Sequence, residues 1–274
     1  MSNTPTGTVI AEGKTKKIIQ HRDPAHVVVV SNNVVTAGNG AKRAEFAGKG
    51  ACATRTTCNV FHLLRAAGIP VAFEERLDET SFLALKCDMI LVEVVARGLA
   101  WGSYLKRNPK MRQGQIFPAP LVEFFLKTTG QVWRGESLIV DDPLMGVHEM
   151  GFPTGELFHP NHPAGTAKPF HVISLDTVGV QGDHWERMAM ITKETYLILQ
   201  KAWMKIGPVL VDFKIEFGID PNGRLCVADV IDNDSWRVVD AEGNHFDKQL
   251  FRNGADIAEV AAQYRVVADF TDQF

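Results

Sequence analysis

The clearest pattern of hydrophobic and polar positions runs from residue 209 to residue 217. Valine, phenylalanine and isoleucine occupy every second position there, and Leu210, Asp212, Lys214 and Glu216 occupy the positions between them. Because side chains alternate between the two faces of a strand, this spacing predicts a β-strand with one apolar face and one charged face. The charged face is the first candidate for chemistry.

Weaker patterns predict an α+β fold for the rest of the chain. Helices are predicted at residues 48–67, 183–205 and 247–263, with Asp183 capping the second. Strands are predicted at residues 8–20 (two short strands), 26–31, 71–75, 89–96 and 121–127. Helices do not follow strands regularly, which argues against a doubly wound parallel sheet.

We expect two domains, a smaller one at residues 1–90 and a larger one at residues 91–274, with a cleft between them. Residues 130–182 carry no clear pattern. They are dense in glycine, proline and histidine, so the stretch from 152 to 170 is expected to be a surface excursion and not a core element.

The turn after the charged strand suggests a metal site. The Asn-Gly pair at residues 222–223 is typical of a two-residue hairpin turn, and counting outward from it places Glu216 opposite Asp229. Like charges on neighbouring strands repel unless something neutralises them, and Mg²⁺ favours one or two carboxylates together with phosphate oxygens. A solvated hairpin, in which Lys214 relieves the repulsion, fits the pattern equally well.

The second candidate is the pair Lys14 and Lys16 in the sequence EGKTKK. Alternation along a strand points both ammonium groups the same way, so that both can contact one polyphosphate, and Gly13 permits close approach of the backbone. The segment lacks the spacing of a Walker A loop. A basic, solvated strand explains the same residues.

Two weaker candidates contain arginine. Arg97 and Ser103 follow a buried strand, where a guanidinium and a hydroxyl suit a phosphate or a carboxylate. Asp234 and Arg237 belong to the sequence DNDSWR, which follows the second strand of the predicted hairpin. A turn rich in Asp and Asn is the alternative interpretation of that sequence.

Composition narrows the class of partner. The formal net charge is -3 and the sequence pI is about 6.3, which gives no electrostatic reason to expect nucleic acid or an anionic membrane. No signal-peptide pattern and no run of about 18 apolar residues occurs, so a cytosolic protein is expected. The four cysteines lack a C-x-x-C spacing and are expected to be reduced.

Other chemistries find little support. His159 and His162 lie among prolines and not on a helix, so we do not expect a zinc site. Neither G-x-S-x-G nor G-x-G-x-x-G occurs, which removes the usual signatures of serine hydrolases and of dinucleotide binding.

Seven segments, in order along nearly the whole chain, resemble one known family. They are EGKTKKI, TAGNGAK, AGIPVAFEE, ARGLAWGSYLKRNP, LVDFKIEFG, ADVIDNDSWR and DKQLFR. The family is phosphoribosylaminoimidazole-succinocarboxamide synthase, also called SAICAR synthetase. At positions 39 and 230, the residues Asn39 and Val230 resemble those of the synthetase half of the bifunctional animal enzymes. The chain departs from the family in one segment, since residues 146–174 are longer and richer in Gly and Pro than the resemblance predicts.

The resemblance implies an ATP- and Mg²⁺-dependent ligase of purine biosynthesis. In that reaction ATP activates the carboxylate of CAIR, a carboxylated aminoimidazole ribonucleotide, as an acyl phosphate. The amine of L-aspartate then attacks, and the products are SAICAR, ADP and phosphate. The implied fold has two α+β domains with antiparallel sheets and an ATP cleft between them. The implied partners are the two small substrates and, in a homo-oligomer, further copies of the chain; whether a separate carboxylase associates with it stays open.

The resemblance also implies roles for single residues. The residues that match ATP-phosphate lysines are Lys14 and Lys16, and those that match Mg²⁺-nucleotide carboxylates are Glu216 and Asp229. The residues that match the CAIR site are Arg97, Ser103, Asp234 and Arg237, with the arginines on the ribose phosphate. Lys214 and Asp212 match catalytic positions, where Lys214 stabilises charge on the transferring phosphoryl group.

Two other functions stay open at this point. Asp212-x-Lys214 on a strand also resembles the inositol phosphate kinases, which phosphorylate a hydroxyl and do not use aspartate; the sequences ARGLAWGS and DNDSWR have no reason to occur there. A catalytically silent nucleotide-binding homologue is the other alternative. The charged side chains at every matched position argue against it.

Overall fold

The computed structural model describes residues 7–37, 41–128, 130–147, 154–163 and 168–274, which we call the described residues. The strands are β1 (Val9–Glu12), β2 (Lys16–Gln20), β3 (His26–Ser31), β4 (Val34–Ala37), β5 (Lys42–Glu45), β6 (Phe73–Arg76), β7 (Ser81–Leu85), β8 (Asp88–Leu99), β9 (Ile116–Leu126), β10 (Val132–Trp133), β11 (Glu136–Ser137), β12 (Leu144–Val147), β13 (Thr154–Phe158), β14 (His171–Ser174), β15 (Val209–Ile219), β16 (Leu225–Ala228) and β17 (Trp236–Val239). The helices are α1 (Lys49–Ala66), α2 (Ser103–Arg107), α3 (His184–Ile206), α4 (Gln249–Asn253) and α5 (Ile257–Thr271), and a 3₁₀ helix covers Leu175–Val178. Paired antiparallel strands with separate helices confirm the predicted α+β class. Asn39 and part of the 146–174 segment lie outside the described residues.

The chain forms two compact units. Unit 1 contains Met1–Cys87, Ile198–Leu210 and Gly218–Phe274, and unit 2 contains Asp88–Leu197 and Val211–Phe217. The first change of unit lies near the predicted boundary at residue 90. The division differs from the predicted one after that point, because α3 and β15 contribute residues to both units and the chain ends in unit 1.

Unit 1 is built on a sheet with the strand order β1-β2-β3-β7-β6, in which all neighbouring strands are antiparallel. Helix α1 buries Val60, Phe61 and Leu64, and the Phe61 ring stacks on Phe73 of β6 with 5.7 Å between centroids. Each such apolar side chain contributes about 1.5–3 kcal/mol to stability. The helix occupies the range predicted for it.

A smaller core joins β4 to the C-terminal helices. Val35 packs there with Phe251, Val260 and Tyr264. The prediction of one helix at 247–263 is wrong, because a glycine at residue 254 with φ of 93° ends α4. Helix α5 then begins anew, capped by the Asp256 side chain, which accepts a hydrogen bond from the backbone N–H two residues later.

Unit 2 is built on a second sheet, in which the strands follow the order β14-β13-β12-β9-β8-β15. The strands from β14 to β8 are antiparallel to their neighbours. The expectation of a surface excursion is wrong for part of residues 152–170, since β13 lies inside this sheet and Leu157 is fully buried. Gly155 lies within β13 and interrupts its apolar pattern. Gly155, like Gly146 on the paired strand β12, leaves space that the side chains of Met145 and Phe158 fill.

The strand β15 has the predicted faces, but both are buried. Val211, Phe213, Ile215 and Phe217 are 1% exposed or less, and the charged face is shielded as well, since Asp212 and Glu216 are each 5% exposed. Buried carboxylates need partners of opposite charge. Asp212 pairs with Arg97 of β8, and Glu216 pairs with Lys214 of β15 and with Lys127, which follows β9.

The hairpin register differs from the prediction. The backbone N–H of Asp220 donates to the carbonyl of Arg224 at 2.9 Å, so Asp220 and not Pro221 faces Arg224. The loop therefore has three residues, with Gly223 at φ of 77°. The count that placed Glu216 opposite Asp229 is wrong by one residue, and Asp229 lies beyond the end of β16 at φ of 67°.

Candidate active site

Lys16 and Asp229 form an ion pair in unit 1. Lys16 begins β2, and Asp229 follows β16 directly. Lys14 does not share their environment, because it lies in the bend between β1 and β2, where its side chain is exposed and makes no hydrogen bond or ion pair with the described residues. Alternation along a strand therefore does not relate Lys14 to Lys16.

Asp234 is surrounded by donors from three distant parts of unit 1. The hydroxyl of Tyr264 donates to Asp234 Oδ1 at 2.6 Å. The ammonium groups of Lys49 and Lys248 lie 3.7 and 3.4 Å from Oδ2. Burial opposes the charge of Asp234, but the two lysines outweigh burial and lower the pKa of Asp234 to about 2. The carboxylate is therefore ionised at neutral pH.

The pKa of Asp232, two residues before Asp234, is shifted in the opposite direction. It is 3% exposed, and its Oδ1 accepts a hydrogen bond of 2.9 Å from the backbone N–H of Asp234. Burial, together with the charge of Asp234, raises the pKa of Asp232. Two carboxylates separated by one residue thus have pKa values shifted in opposite directions. Arg237 lies on β17. It is half-buried, whereas the residues before and after it in the strand are buried.

Arg97 is the centre of a buried network in unit 2. It is 3% exposed, and its Nε donates to Glu123 at 2.6 Å while Nη1 donates to Asp212 at 2.7 Å. Its Nη2 lies 3.4 Å from the hydroxyl of Ser103, the first residue of α2. Burial acts against the charge, but the carboxylates of Asp212 and Glu123 outweigh it and raise the pKa of Arg97.

Lys214 and Glu216 continue this network along the charged face of β15. Lys214 Nζ lies 2.6 Å from a carboxylate oxygen of Glu93 and 3.3 Å from one of Glu216. The other oxygen of Glu216 accepts from Lys127. The lysines are about one-third exposed, whereas the Glu216 side chain is only 6% exposed. The Glu216 carboxylate is therefore held in place by two ammonium groups, and the side chains of these two lysines reach solvent.

The structure brings most of the predicted residues into contacts within each unit. In unit 1, Lys16 contacts Asp229, and Asp234 lies in the same unit. In unit 2, Arg97 contacts Ser103 and Asp212, and Lys214 contacts Glu216. The two predicted metal carboxylates belong to different units. Among the described residues, no group of three or more His, Cys, Asp or Glu side chains is arranged to hold a metal ion.

Sequence reasoning missed the side chains that hold the predicted ones. These are Lys49, Lys248 and Tyr264 in unit 1 and Glu93, Arg107, Glu123 and Lys127 in unit 2. A signal existed for Glu123, which interrupts the apolar strand β9, and for Lys127, which follows that strand directly. No pattern marked Lys49, which is 1% exposed at the start of α1.

Comparison with known proteins identifies the family. A family model described as SAICAR synthetase matches residues 9–134 and 167–268. The phosphoribosylaminoimidazole-succinocarboxamide synthases of Chloroflexus aggregans and Roseiflexus sp. strain RS-1 are 38% and 36% identical to this chain, covering 98% and 97% of it and 97% of each relative. A probable multifunctional protein of Caenorhabditis elegans is 34% identical over 97% of this chain and 58% of its own length. Those identities do not set the animal form apart from the bacterial ones.

Solved structures agree with the sequence relatives. The phosphoribosylaminoimidazole-succinocarboxamide synthase of Ehrlichia chaffeensis has a TM-score of 0.78 at 26% identity, covering 97% of this chain and 99% of its own. A SAICAR synthetase in complex with ADP has a TM-score of 0.76 at 28% identity, covering 95% and 96%. No helix in the described parts of the chain has the length and apolar character needed to cross a membrane. Both the fold and nearly the full length of the sequence agree with these relatives, and this chain belongs to the SAICAR synthetase family.

Proposed function

We propose that this chain joins L-aspartate to the carboxylate of CAIR, converting ATP to ADP and phosphate, as a step of purine biosynthesis. The observation that carries the proposal, beside the family, is the charged face of β15. The network includes Arg97, Asp212 and Glu216, which are buried, and Lys214, which is one-third exposed; burying so many charged groups is costly for a protein that only needs to fold. Such a network is expected where anions are bound and charge is transferred.

Lys14, Lys16, Glu216 and Asp229 are the residues that we assign to ATP and Mg²⁺. Their chemistry fits this pair of ligands, because Mg²⁺ prefers carboxylate and phosphate oxygens and lysine binds phosphate. Lys16 and Asp229 neutralise one another, and Glu216 is neutralised by lysines. Binding can then exchange partners without leaving a charge unpaired: the ammonium groups go to phosphate and the carboxylates to the cation. When bound, ATP with its cation supplies the phosphoryl group that activates CAIR.

Arg97, Ser103, Asp234 and Arg237 are assigned to CAIR. The guanidinium and hydroxyl of Arg97 and Ser103 suit its ribose phosphate, as does the half-buried Arg237. Asp234 is ionised because its pKa is lowered to about 2, so it serves as a hydrogen-bond acceptor for a hydroxyl or amino group of the substrate and does not act as a proton donor.

Lys214 and Asp212 are assigned to catalysis. Lys214 is one-third exposed, so its ammonium group is accessible to a ligand, and we assign to it the stabilisation of the charge that develops on the transferring phosphoryl group. Asp212 holds Arg97 through a 2.7 Å hydrogen bond. The aspartate amine then attacks the activated carbonyl carbon: a C–N bond forms, the bond to the phosphate oxygen breaks, phosphate leaves and the amine loses a proton.

The proposal extends to the compartment and the partners. We expect the reaction to take place in the cytosol, and four cysteines that form no disulfide bond are compatible with a reducing compartment. The substrates are small molecules, and the protein partner that we propose is a further copy of the chain, in a homo-oligomer.

The test is ADP release with ATP and Mg²⁺, measured with CAIR and L-aspartate added singly and together, while SAICAR is followed by mass. The expected result is that ADP and SAICAR appear in equal amounts only when both substrates are present. ATP turnover with a hydroxyl acceptor and without aspartate would instead identify a kinase. Nucleotide binding without any turnover would identify a silent homologue.

A further inference from the structure

Arg107, at the end of α2, is buried and makes contacts that the reaction does not explain. It is 4% exposed. Its Nη2 donates to Glu123 Oε1, and its Nη1 donates to the backbone carbonyl of Pro160 at 2.5 Å. The Phe125 ring lies 5.8 Å from the guanidinium carbon. These groups enclose the guanidinium, so Arg107 is placed to hold protein groups and not substrate.

Glu123 connects Arg107 to Arg97. Each of its carboxylate oxygens serves a different arginine: Oε1 accepts from Arg107, and Oε2 accepts from Arg97 Nε at 2.6 Å. Glu123 on β9 faces Val95 on β8, which places it diagonally across from Arg97 on the same face of the sheet. The Glu123 side chain is 10% exposed, so an oxygen that loses its arginine has little water to replace it.

The charges near Arg97 are also balanced. The arginines at 97 and 107 face the carboxylates of Glu123 and Asp212, two charges of each sign. Removing the charge of Arg107 leaves an excess negative charge next to Arg97. An anion such as a phosphate would then bind less well, even if Arg97 kept its orientation.

The backbone carbonyl that accepts the second hydrogen bond of Arg107 belongs to a part of the chain that the family model does not match. Pro160 lies between the two ranges that the family model matches, 9–134 and 167–268. It follows β13, which pairs with both β12 and β14. A segment outside the family match thus contacts the arginine that supports Arg97.

We propose that Arg107 is a positioning residue for the substrate phosphate: through Glu123 it fixes the guanidinium of Arg97, and the carbonyl of Pro160 fixes Arg107 in turn. This inference rests on the proposed role of Arg97 in binding CAIR. It assigns Arg107 to the affinity for one substrate and to neither ATP nor L-aspartate.

The test is steady-state kinetics with each of the three substrates varied in turn. Arg107→Met removes the charge and both hydrogen bonds, whereas Arg107→Lys keeps the charge but loses the planar fork that reaches two acceptors. Arg112→Met makes the same chemical change at an exposed position nearby. Arg97→Lys tests the proposed function separately. Melting curves establish which variants are folded.

The expected result is a rise in the KM for CAIR of roughly tenfold for Arg107→Met and roughly threefold for Arg107→Lys, in the range expected for the loss of a hydrogen bond. The KM values for ATP and L-aspartate, and kcat, should stay within about twofold, and Arg112→Met should match the unmodified chain. If Arg107→Met does not fold, Arg107→Lys decides the question.

Three results would overturn the inference. An unchanged KM for CAIR in folded Arg107→Lys, while Arg97→Lys raises it, would remove Arg107 from this role and leave the proposed function standing. Equal changes in kcat and all three KM values would indicate a general structural role. An unchanged KM for CAIR in Arg97→Lys itself would contradict the assignment of Arg97, and the inference would fail with it.

Discussion

The two units of this molecule hold their charged side chains in different ways. In unit 1, Lys49, Lys248 and Tyr264 converge on the single carboxylate of Asp234. In unit 2, acidic and basic side chains alternate, so that Arg97 and Glu123 each contact two groups of opposite charge. A convergent arrangement fixes the ionisation of one group. An alternating arrangement makes every member depend on its neighbours, so the loss of one charge should affect several others.

The alternating network should be the more sensitive to a single change. Arg97→Met leaves Asp212 and Glu123 with a missing partner in a buried site, and we expect the free energy of unfolding to fall by about 3–5 kcal/mol. Urea unfolding of this variant and of the exposed Arg112→Met control measures the difference. A loss below about 1 kcal/mol would mean that the network relaxes around the gap, and the contrast between the units would then be absent.

Removing the ion pair of Lys16 and Asp229 should affect turnover and not folding. Asp229→Asn keeps the size of the side chain but removes the charge assigned to Mg²⁺, and we expect kcat/KM for ATP to fall by about 100-fold at ordinary Mg²⁺. The exposed Asp88→Asn is the matched control. Full activity of Asp229→Asn would show that the metal assignment is wrong.

Because three donors converge on Asp234, we expect the free energy of unfolding to depend on pH through the ionisation of this residue. Its pKa is lowered from 3.8 to about 2 in the folded chain. A lowered pKa stabilises the fold above the unfolded value, and that stability is lost as the pH falls from 3.8 toward 2. Asp234→Asn should therefore lower stability at neutral pH and flatten the acid limb, which urea unfolding at stepped pH values measures.

Asp232 should respond with the opposite sign. Its pKa is raised by burial and by Asp234, so its contribution to stability is present below 3.8 and is lost as the pH rises through the folded value. Asp232→Asn should then raise the melting temperature at neutral pH. If both asparagine variants changed stability in the same direction at neutral pH, the two carboxylates would not differ as the structure indicates.

The smallest effect is expected from a single donor in the convergent group. Tyr264→Phe removes the 2.6 Å hydrogen bond to Asp234 but leaves both lysines. We expect a loss of about 1.5 kcal/mol in the free energy of unfolding, at the lower end for a hydrogen bond to a charged group. A loss as large as that of Arg97→Met would mean that the donors of unit 1 do not compensate for one another.

Local patterns predicted the elements better than their register. The alternation in β15 was predicted, because one sequence window contains both faces of a strand. The hairpin turn was not, because the Asp220 side chain accepts hydrogen bonds from the backbone N–H groups of Asn222 and Arg224 and stabilises a three-residue loop. An Asn-Gly pair alone does not reveal that competition.

The residues of the site were recognised by resemblance, but their partners were not. Lys49 and Asp234 are separated by most of the chain, and only tertiary structure brings them within 3.7 Å. Arg107 and Pro160 are likewise joined by a contact that no local pattern encodes. The strand at Thr154–Phe158 was hidden by flanking glycine and proline, which usually mark loops.

The most direct test of the central claim follows the oxygen atoms of CAIR. If the carboxylate is activated by phosphoryl transfer, CAIR labelled with ¹⁸O in both carboxylate oxygens should give inorganic phosphate with one ¹⁸O, and the other label should stay in the amide of SAICAR. Mass spectrometry of both products measures this outcome. Phosphate without the label, formed in equal amount with SAICAR, would contradict activation of CAIR by ATP.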